Sequence, residues 1–419
     1  MVSPILPGMT KRDFDIIVWG ATGFTGALVA EYLLSEYGVG ESLRWAIAGR
    51  SEEKLETLRQ ALGPKAGSLP SIVADSFDEQ TLAAMAAKTR VVITTVGPYA
   101  KYGSKLVSAC IAHGTHYCDL AGEAQWIRRM IDEHHDAAVE SGARIVHCCG
   151  FDSVPMDIGV WFLQQEAMRR HGSYCSSIQM LVKATKGGPS GGTMASVLNL
   201  IKEARADSNV ARVLGDPYGL NPPDERQGPD KPDQNNVRFD DVAGVWTAPF
   251  VMAGINTRVV RRSQALLGYP YGRDFRYREA VMMGDGMSGW IRGSAMTAGL
   301  GGFVAAASFD FSRSQLERYV LPKPGEGPNK EQRESGFFDL RQFGELPDGT
   351  IIRTRITGDR DPGYGSTSKM LAESAVCLAN NDLPSGGGVL TPASAMADAL
   401  LGRLQENAGL SFTYLSPDG

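Results

Sequence analysis

A doubly wound α/β fold, built on a parallel sheet and followed by a second α+β domain, is what this sequence predicts from three observations. From Phe14 to about residue 150, short apolar runs alternate with amphipathic stretches without a break, which is the pattern of strands joined by crossover helices. The first run ends in Gly20-Ala21-Thr22-Gly23-Phe24-Thr25-Gly26 and passes straight into the helical pattern ALVAEYLL. After Cys149 the alternation stops, so a different architecture begins there. The expected division is a tail over 1–13, a dinucleotide-binding domain over 14–150, a second domain over 151–360 and a C-terminal helical segment over 361–419.

Taken in order, the predicted strands are Asp15 to Trp19, Arg44 to Ala48, Ser71 to Ala74, Val91 to Thr95, His116 to Leu120 and Arg144 to Cys148. Six such strands complete a Rossmann sheet. Between them, helices are expected over Gly26 to Glu36, Glu52 to Leu62, Asp78 to Ala87, Ser104 to His113 and Glu123 to Ser141. In the second domain a helix follows Asp157, and strands are expected over Ser177 to Lys183, Val251 to Val260 and Thr350 to Gly358. Asp216 to Asp241 and Pro322 to Glu334 read as long surface loops, and a helix starts at Ser366.

The 419 residues suffice for two or three folding units with ample core. A net charge of -5 gives no electrostatic reason to expect nucleic acid as a partner. Six cysteines without paired spacing, and a start lacking the layout of a secretory signal, point to a reducing cytoplasm. Gly293 to Phe309 comes nearest to an apolar run, and its glycines and hydroxyl residues suit a buried helix or loop better than a membrane-inserted patch. The six histidines lie between 113 and 171 with no C-x-x-C ladder beside them, so no metal site is expected.

The glycine loop carries the clearest chemistry. Gly20, Gly23 and Gly26 permit a tight turn and close approach of backbone to a pyrophosphate, while the N–H groups of Thr22, Phe24 and Thr25 at the helix start stabilise its charge. No acidic residue ends the second strand, where one would bind the ribose of NAD. Arg50 and Ser51 stand there instead, able to grip a 2'-phosphate, so NADPH is expected rather than NADH; a solvated arginine at the turn is the plainer alternative. Asp75, after the third strand, suits either an adenine contact or a helix cap. The fourth strand opens into Val96-Gly97-Pro98-Tyr99-Ala100-Lys101, a turn facing the nicotinamide half of a cofactor, where Gly97 and Pro98 shape the backbone. Tyr99 is the first candidate to donate a proton or hydrogen bond to a substrate, against the alternative of a packed turn tyrosine. Asp152 is the second candidate, at the hinge between domains, where it could equally cap the helix that follows. The turn Lys186 to Thr193 could hold an anion or a substrate chain on its N–H groups, or act as a mobile cap.

Together GATGFTG, AGRS, TTVGPYAKYG, THYCDLAGE, GFDSVPMDIG, DPGYGSTSKMLAESA and GGVLTPASAMADALLGRL resemble the saccharopine dehydrogenase family, and more closely its trans-acting enoyl reductase branch. The resemblance runs from about residue 14 to the end. It implies an NADPH-dependent oxidoreductase that reduces an α,β-unsaturated acyl intermediate, an acyl thioester or lipid precursor carried by a polyketide synthase. It also implies that the C-terminal segment packs back on the nucleotide domain. A saccharopine reductase-like imine reductase and a non-catalytic nucleotide-sensing protein at a lipid surface are the other readings, and both a peripheral membrane association and a homo-oligomer are compatible with the resemblance.

Overall fold

The computed structural model describes residues 12–40, 42–188, 191–319 and 327–416. The first unit follows the alternation read from the sequence. Its elements are β1 (Phe14–Trp19), α1 (Phe24–Tyr37), β2 (Trp45–Gly49), α2 (Glu52–Ala61), β3 (Ser71–Val73), α3 (Glu79–Ala86), β4 (Thr89–Thr94), α4 (Tyr99–Tyr102), α5 (Ser104–Ala112), β5 (His116–Cys118), α6 (Ala124–Ser141) and β6 (Arg144–Val146). Helices cover both faces of the sheet, so a central strand must be apolar on both sides. β1 meets this condition, with Ile16, Ile17 and Val18 fully buried. The helix starts carry their own signals: Asp78 accepts the N–H groups of Gln80 and Thr81 to cap α3.

The second unit comprises α7 (Val154–His171), β7 (Ser177–Lys186), α8 (Gly191–Ala206), α9 (Ser208–Gly215), β8 (Arg238–Asp240), β9 (Val245–Ala248), α10 (Ala253–Leu266), β10 (Arg276–Gly284), α11 (Gly286–Ala307), α12 (Asp310–Tyr319), α13 (Lys330–Glu334), β11 (Phe337–Glu345) and β12 (Ile351–Gly358). The chain ends with α14 (Thr367–Asn380), β13 (Gly388–Leu390), α15 (Pro392–Glu406) and β14 (Leu410–Leu415).

Two seven-stranded sheets result. The first is parallel in the order β13-β6-β5-β4-β1-β2-β3, and the second is mixed in the order β14-β12-β11-β7-β10-β9-β8. This is the expected doubly wound sheet with a second α+β unit, and β1 and β4 flank its switch point. The last stretch of chain is more than helical. β13 pairs in parallel with β6, Val389 opposite Ile145, and β14 pairs with β12 in the other sheet. α14 packs against α1, β4 and β5, so the C-terminal segment joins both units.

Two expectations need correction. Val251 to Val260 is not a strand, because α10 occupies most of that span. Its valines and threonine imitate strand composition, but they belong to a helix buried on all sides from Ile255 to Ala265. Arg258 and Arg261, also buried, are paired with Asp233 at 2.7 Å and Asp230 at 2.6 Å. Gly293 to Phe309 is not a buried segment either. It lies mostly in α11, where Val304 is exposed, as is Phe309 just beyond the helix, and of the segment only Gly293 and Ala307 are buried. Among the described residues, no helix is long and apolar enough to cross a membrane.

Candidate active site

The cleft is built from connections at the carboxyl ends of the parallel strands, beginning with the glycine loop. Gly20 adopts φ +82°, and a Cβ there would lie 2.5 Å from Val96 Cγ2. At Gly26 a Cβ would meet the Gly20 carbonyl oxygen at 2.2 Å, so the loop and α1 touch backbone to backbone. The loop carbonyl of Gly20 also accepts a hydrogen bond from Thr95 Oγ1 (3.2 Å), tying it to the end of β4. Thr22 and Gly23 are exposed at its tip. Helix α1 starts with no side-chain cap and no acidic residue in its first turn, leaving its N–H groups and positive end open to an anion. Phe24 is held from the far side of the cleft, its ring 4.7 Å from that of Tyr364 in an edge-on pair.

At the end of β2, Arg50 is exposed and its guanidinium makes no hydrogen bond or ion pair with the described residues. Ser51 caps α2 by accepting the Lys54 N–H at 3.3 Å, which leaves its hydroxyl hydrogen free to donate. Asp75 caps no helix: its carboxylate accepts the Phe77 N–H (2.8 Å) in a local turn, and Asp78 performs the capping. A backbone cradle that no side chain could share, an open helix N-terminus and a free arginine at the second strand together fit a dinucleotide bearing a 2'-phosphate.

The turn after β4 departs from its expected role at one residue. Gly97 is exposed and Pro98 half-buried, but Tyr99 is packed inward, 5% exposed and stacked on Trp126 at 5.6 Å. Its hydroxyl donates to the Thr94 carbonyl and accepts the Leu120 N–H, each at 3.2 Å. With both capacities used by main chain, Tyr99 ties the ends of β4 and β5 together instead of presenting a donor to the cleft. Burial raises its pKa well above the ordinary tyrosine value. The N–H groups of Tyr99 (2.8 Å) and Ala100 (2.9 Å) donate to the buried carboxylate of Glu123. Glu123 also accepts from Ser196 Oγ (3.2 Å), which lays α8 across the turn as a roof.

Beyond β6 the chain passes through two residues of unusual backbone conformation. Cys148 has φ +63° and Ser153 φ +127°, two of the four non-glycine residues with positive φ among those described. Asp152 lies between them. It is half-buried, accepts no hydrogen bond from the described residues, and its pKa is pushed up to about 6 by burial. It does not cap α7. The preceding residues are pinned to β5 by Asp119, fully buried, which accepts from Tyr117 Oη (2.8 Å), His147 Nδ1 (2.7 Å), Ala121 N (3.0 Å) and Cys148 N (3.1 Å).

Asp157, five residues on, points away from this cleft into a packed polar cluster. It accepts from Ser263 Oγ (2.5 Å) and Ala393 N (2.8 Å), and burial raises its pKa to about 7. Of the turn from Lys186 to Thr193, Pro189 and Ser190 lie outside the described residues. A cavity of about 840 Å³ lies elsewhere, at the Ser177 end of β7, whereas the cleft adjoins the Lys186 end. Of its four lining arginines, Arg261 pairs with Asp230 and Arg278 with Asp240, while Arg238 and Arg276 form no ion pair with the described residues. Asp119, Glu123 and Ser196 had no role in the sequence reading. The first two lie within the run Thr115 to Glu123, whose acidic residues beside a strand end were the available signal.

Comparison with known proteins agrees with this geometry. Residues 16–146 match the saccharopine dehydrogenase NADP-binding domain. A Mycobacterium tuberculosis protein with the name "Putative trans-acting enoyl reductase" is 43% identical over 417 residues, covering 96% of this chain and 97% of its own. A "Trans-acting enoyl reductase" of Mycobacterium leprae is 40% identical over 406 residues, covering 94% and 96%. Among solved structures, saccharopine dehydrogenase (L-Glu forming) of Saccharomyces cerevisiae superposes with a TM-score of 0.54 over 96% of this chain and all of that one, at 13% identity, and so shares the fold.

Proposed function

This chain belongs to the saccharopine dehydrogenase family, in its trans-acting enoyl reductase branch, and from that membership we propose that it is an NADPH-dependent enoyl reductase acting on an α,β-unsaturated acyl thioester. NADPH, when bound, supplies the hydride for the β-carbon. The N-terminus of α1 and the Gly20–Gly26 loop hold the pyrophosphate, and Arg50 with Ser51 holds the 2'-phosphate. Gly97 and Pro98 shape the wall beside the nicotinamide, and α8, anchored by Ser196 on Glu123, excludes water from it. Asp152 supplies the proton to the α-carbon of the substrate. The observation that carries this role is its combination of a raised pKa, a free carboxyl and a place at the carboxyl edge of the sheet. Tyr99 holds the turn from behind.

The relatives' names, trans-acting enoyl reductase, support an enoyl substrate presented in trans by a partner protein, and the family resemblance implies a polyketide synthase as that partner.

The test is NADPH oxidation over a panel of 2-enoyl thioesters, presented on a carrier and as CoA or N-acetylcysteamine esters. Turnover is expected, and Asp152→Asn should lower kcat by about 10²-fold or more with NADPH binding retained. Saccharopine-type imines turning over while no enoyl thioester does would overturn the proposal.

A further inference from the structure

The segment bearing Asp152 is strained at both ends, and each end is held by a different sheet. On the nucleotide side, Asp119 takes the Cys148 N–H on its carboxylate and the Cys149 N–H on its carbonyl (2.7 Å). On the other side, Ser153 Oγ donates to Asn256 Oδ1 (3.0 Å). Asn256, fully buried on α10, passes the connection on, its Nδ2 donating to Glu279 Oε2 of β10 at 3.0 Å. Glu279 also accepts from Tyr277 Oη at 2.8 Å. The chain Ser153–Asn256–Glu279–Tyr277 is buried throughout and ends in the core of the second unit. A φ of +127° at a serine costs of the order of 1–3 kcal/mol and persists only where surroundings over-determine it. A helix cap does not account for it, since Ser153 makes no capping bond to α7.

We propose that Asn256 is a positioning residue for Asp152, holding the strained Cys148–Ser153 segment from the second unit while Asp119 holds it from the first. These two anchors, with Thr367 Oγ1 accepting the Phe151 N–H (3.0 Å) between them, fix the segment, and with it the Asp152 carboxyl, from both units. They also keep it half-buried, with no hydrogen-bond donor of its own. Releasing one anchor lets the backbone relax and brings the carboxyl into water. The inference rests on the reading of Asp152 as the acid for its functional meaning, but the mount itself can be measured independently.

Asn256→Ala removes the relay and Ser153→Ala removes the same bond from its other end, so one can stand in if the other does not fold. Aspartate carboxyl carbons labelled with carbon-13 report titration by NMR, with Asp152→Asn assigning the Asp152 signal. In the wild type this signal should titrate near pH 6. In either folded variant it should fall towards the ordinary aspartate range, kcat should drop about tenfold or more, and the NADPH Kd, set at the separate glycine loop, should stay within about threefold. An unchanged Asp152 titration in folded variants overturns the proposal. A shifted titration with kcat unchanged upholds the mount and overturns the reading of Asp152 as the acid.

Discussion

The tightest constraints act at single residues of the glycine loop and at Arg50. Gly23 needs no unusual φ, and a Cβ there would lie 3.3 Å from the Gly20 carbonyl oxygen, a tight contact that a shift of a few tenths of an ångström in the loop relieves, while a larger side chain projects from the exposed loop tip. Gly23→Val should therefore leave the circular dichroism spectrum unchanged and abolish NADPH binding in a fluorescence titration. A folded variant with wild-type affinity would exclude the loop as the pyrophosphate site. Arg50 stands free at the end of β2, which makes its charge available to a 2'-phosphate. Its replacement by alanine should weaken NADPH by about 1.5–3 kcal/mol, roughly ten- to more than a hundredfold, and leave NADH almost unaffected. Equal Kd values for the two cofactors in the wild type would contradict this assignment.

Elements of the first unit were readable because each obeys local rules. β1, β2 and β4 each hold a continuous apolar run, IIVW, WAIA and VVI, and their turns are marked by Gly20, Gly49 and Gly97. β13 was not readable: its three residues sit between a glycine run and Thr391-Pro392, too short to mark a strand, and become one only through the neighbouring edge of β6. Tyr99 illustrates the same limit at the site. Its position on the correct turn follows from the sequence, but the inward direction of its ring depends on Trp126 and Leu120, which arrive from later elements. The turn also depends on Glu123, whose carboxylate is the partner of two N–H groups of α4 and of Ser196. Glu123→Ala leaves buried donors unsatisfied and should cost roughly 1–3 kcal/mol in urea unfolding. By freeing α8, it should also raise KM for the enoyl substrate more than it changes NADPH affinity. A variant matching the wild type in both stability and KM would show that the roof is held by other contacts.

At the scale of the whole molecule, the two sheets are joined by the Asp152 segment and by a C-terminal stretch that contributes a strand to each. Buried acids cluster around this junction. Burial raises the pKa of Asp157 to about 7 and of Glu279 to about 8, both above their values in an unfolded chain. The folded state therefore binds more protons than the unfolded state between about pH 4 and 8, and stability is lost as pH rises through the folded values. Between pH 6.5 and 8.5 the Tm should fall, and Glu279→Gln should flatten that slope. A Tm that rises over the same interval would contradict the assignment of these groups as buried and raised.

The most direct measurement of the central claim is the fate of the transferred hydrogen, because the proposed reaction requires the cofactor wall, Asp152 and the α8 roof to meet around one acyl carbon pair. NADPH deuterated at nicotinamide C4, in each stereochemical form, should be incubated with a long-chain 2-enoyl thioester and the saturated product analysed by mass spectrometry and NMR. Deuterium from one form at the β-carbon, with a solvent-derived hydrogen at the α-carbon and the reaction suppressed by Asp152→Asn, is the predicted result. Unconsumed enoyl thioester in the presence of bound NADPH, with deuterium delivered instead to the carbon of an imine substrate, would contradict the account.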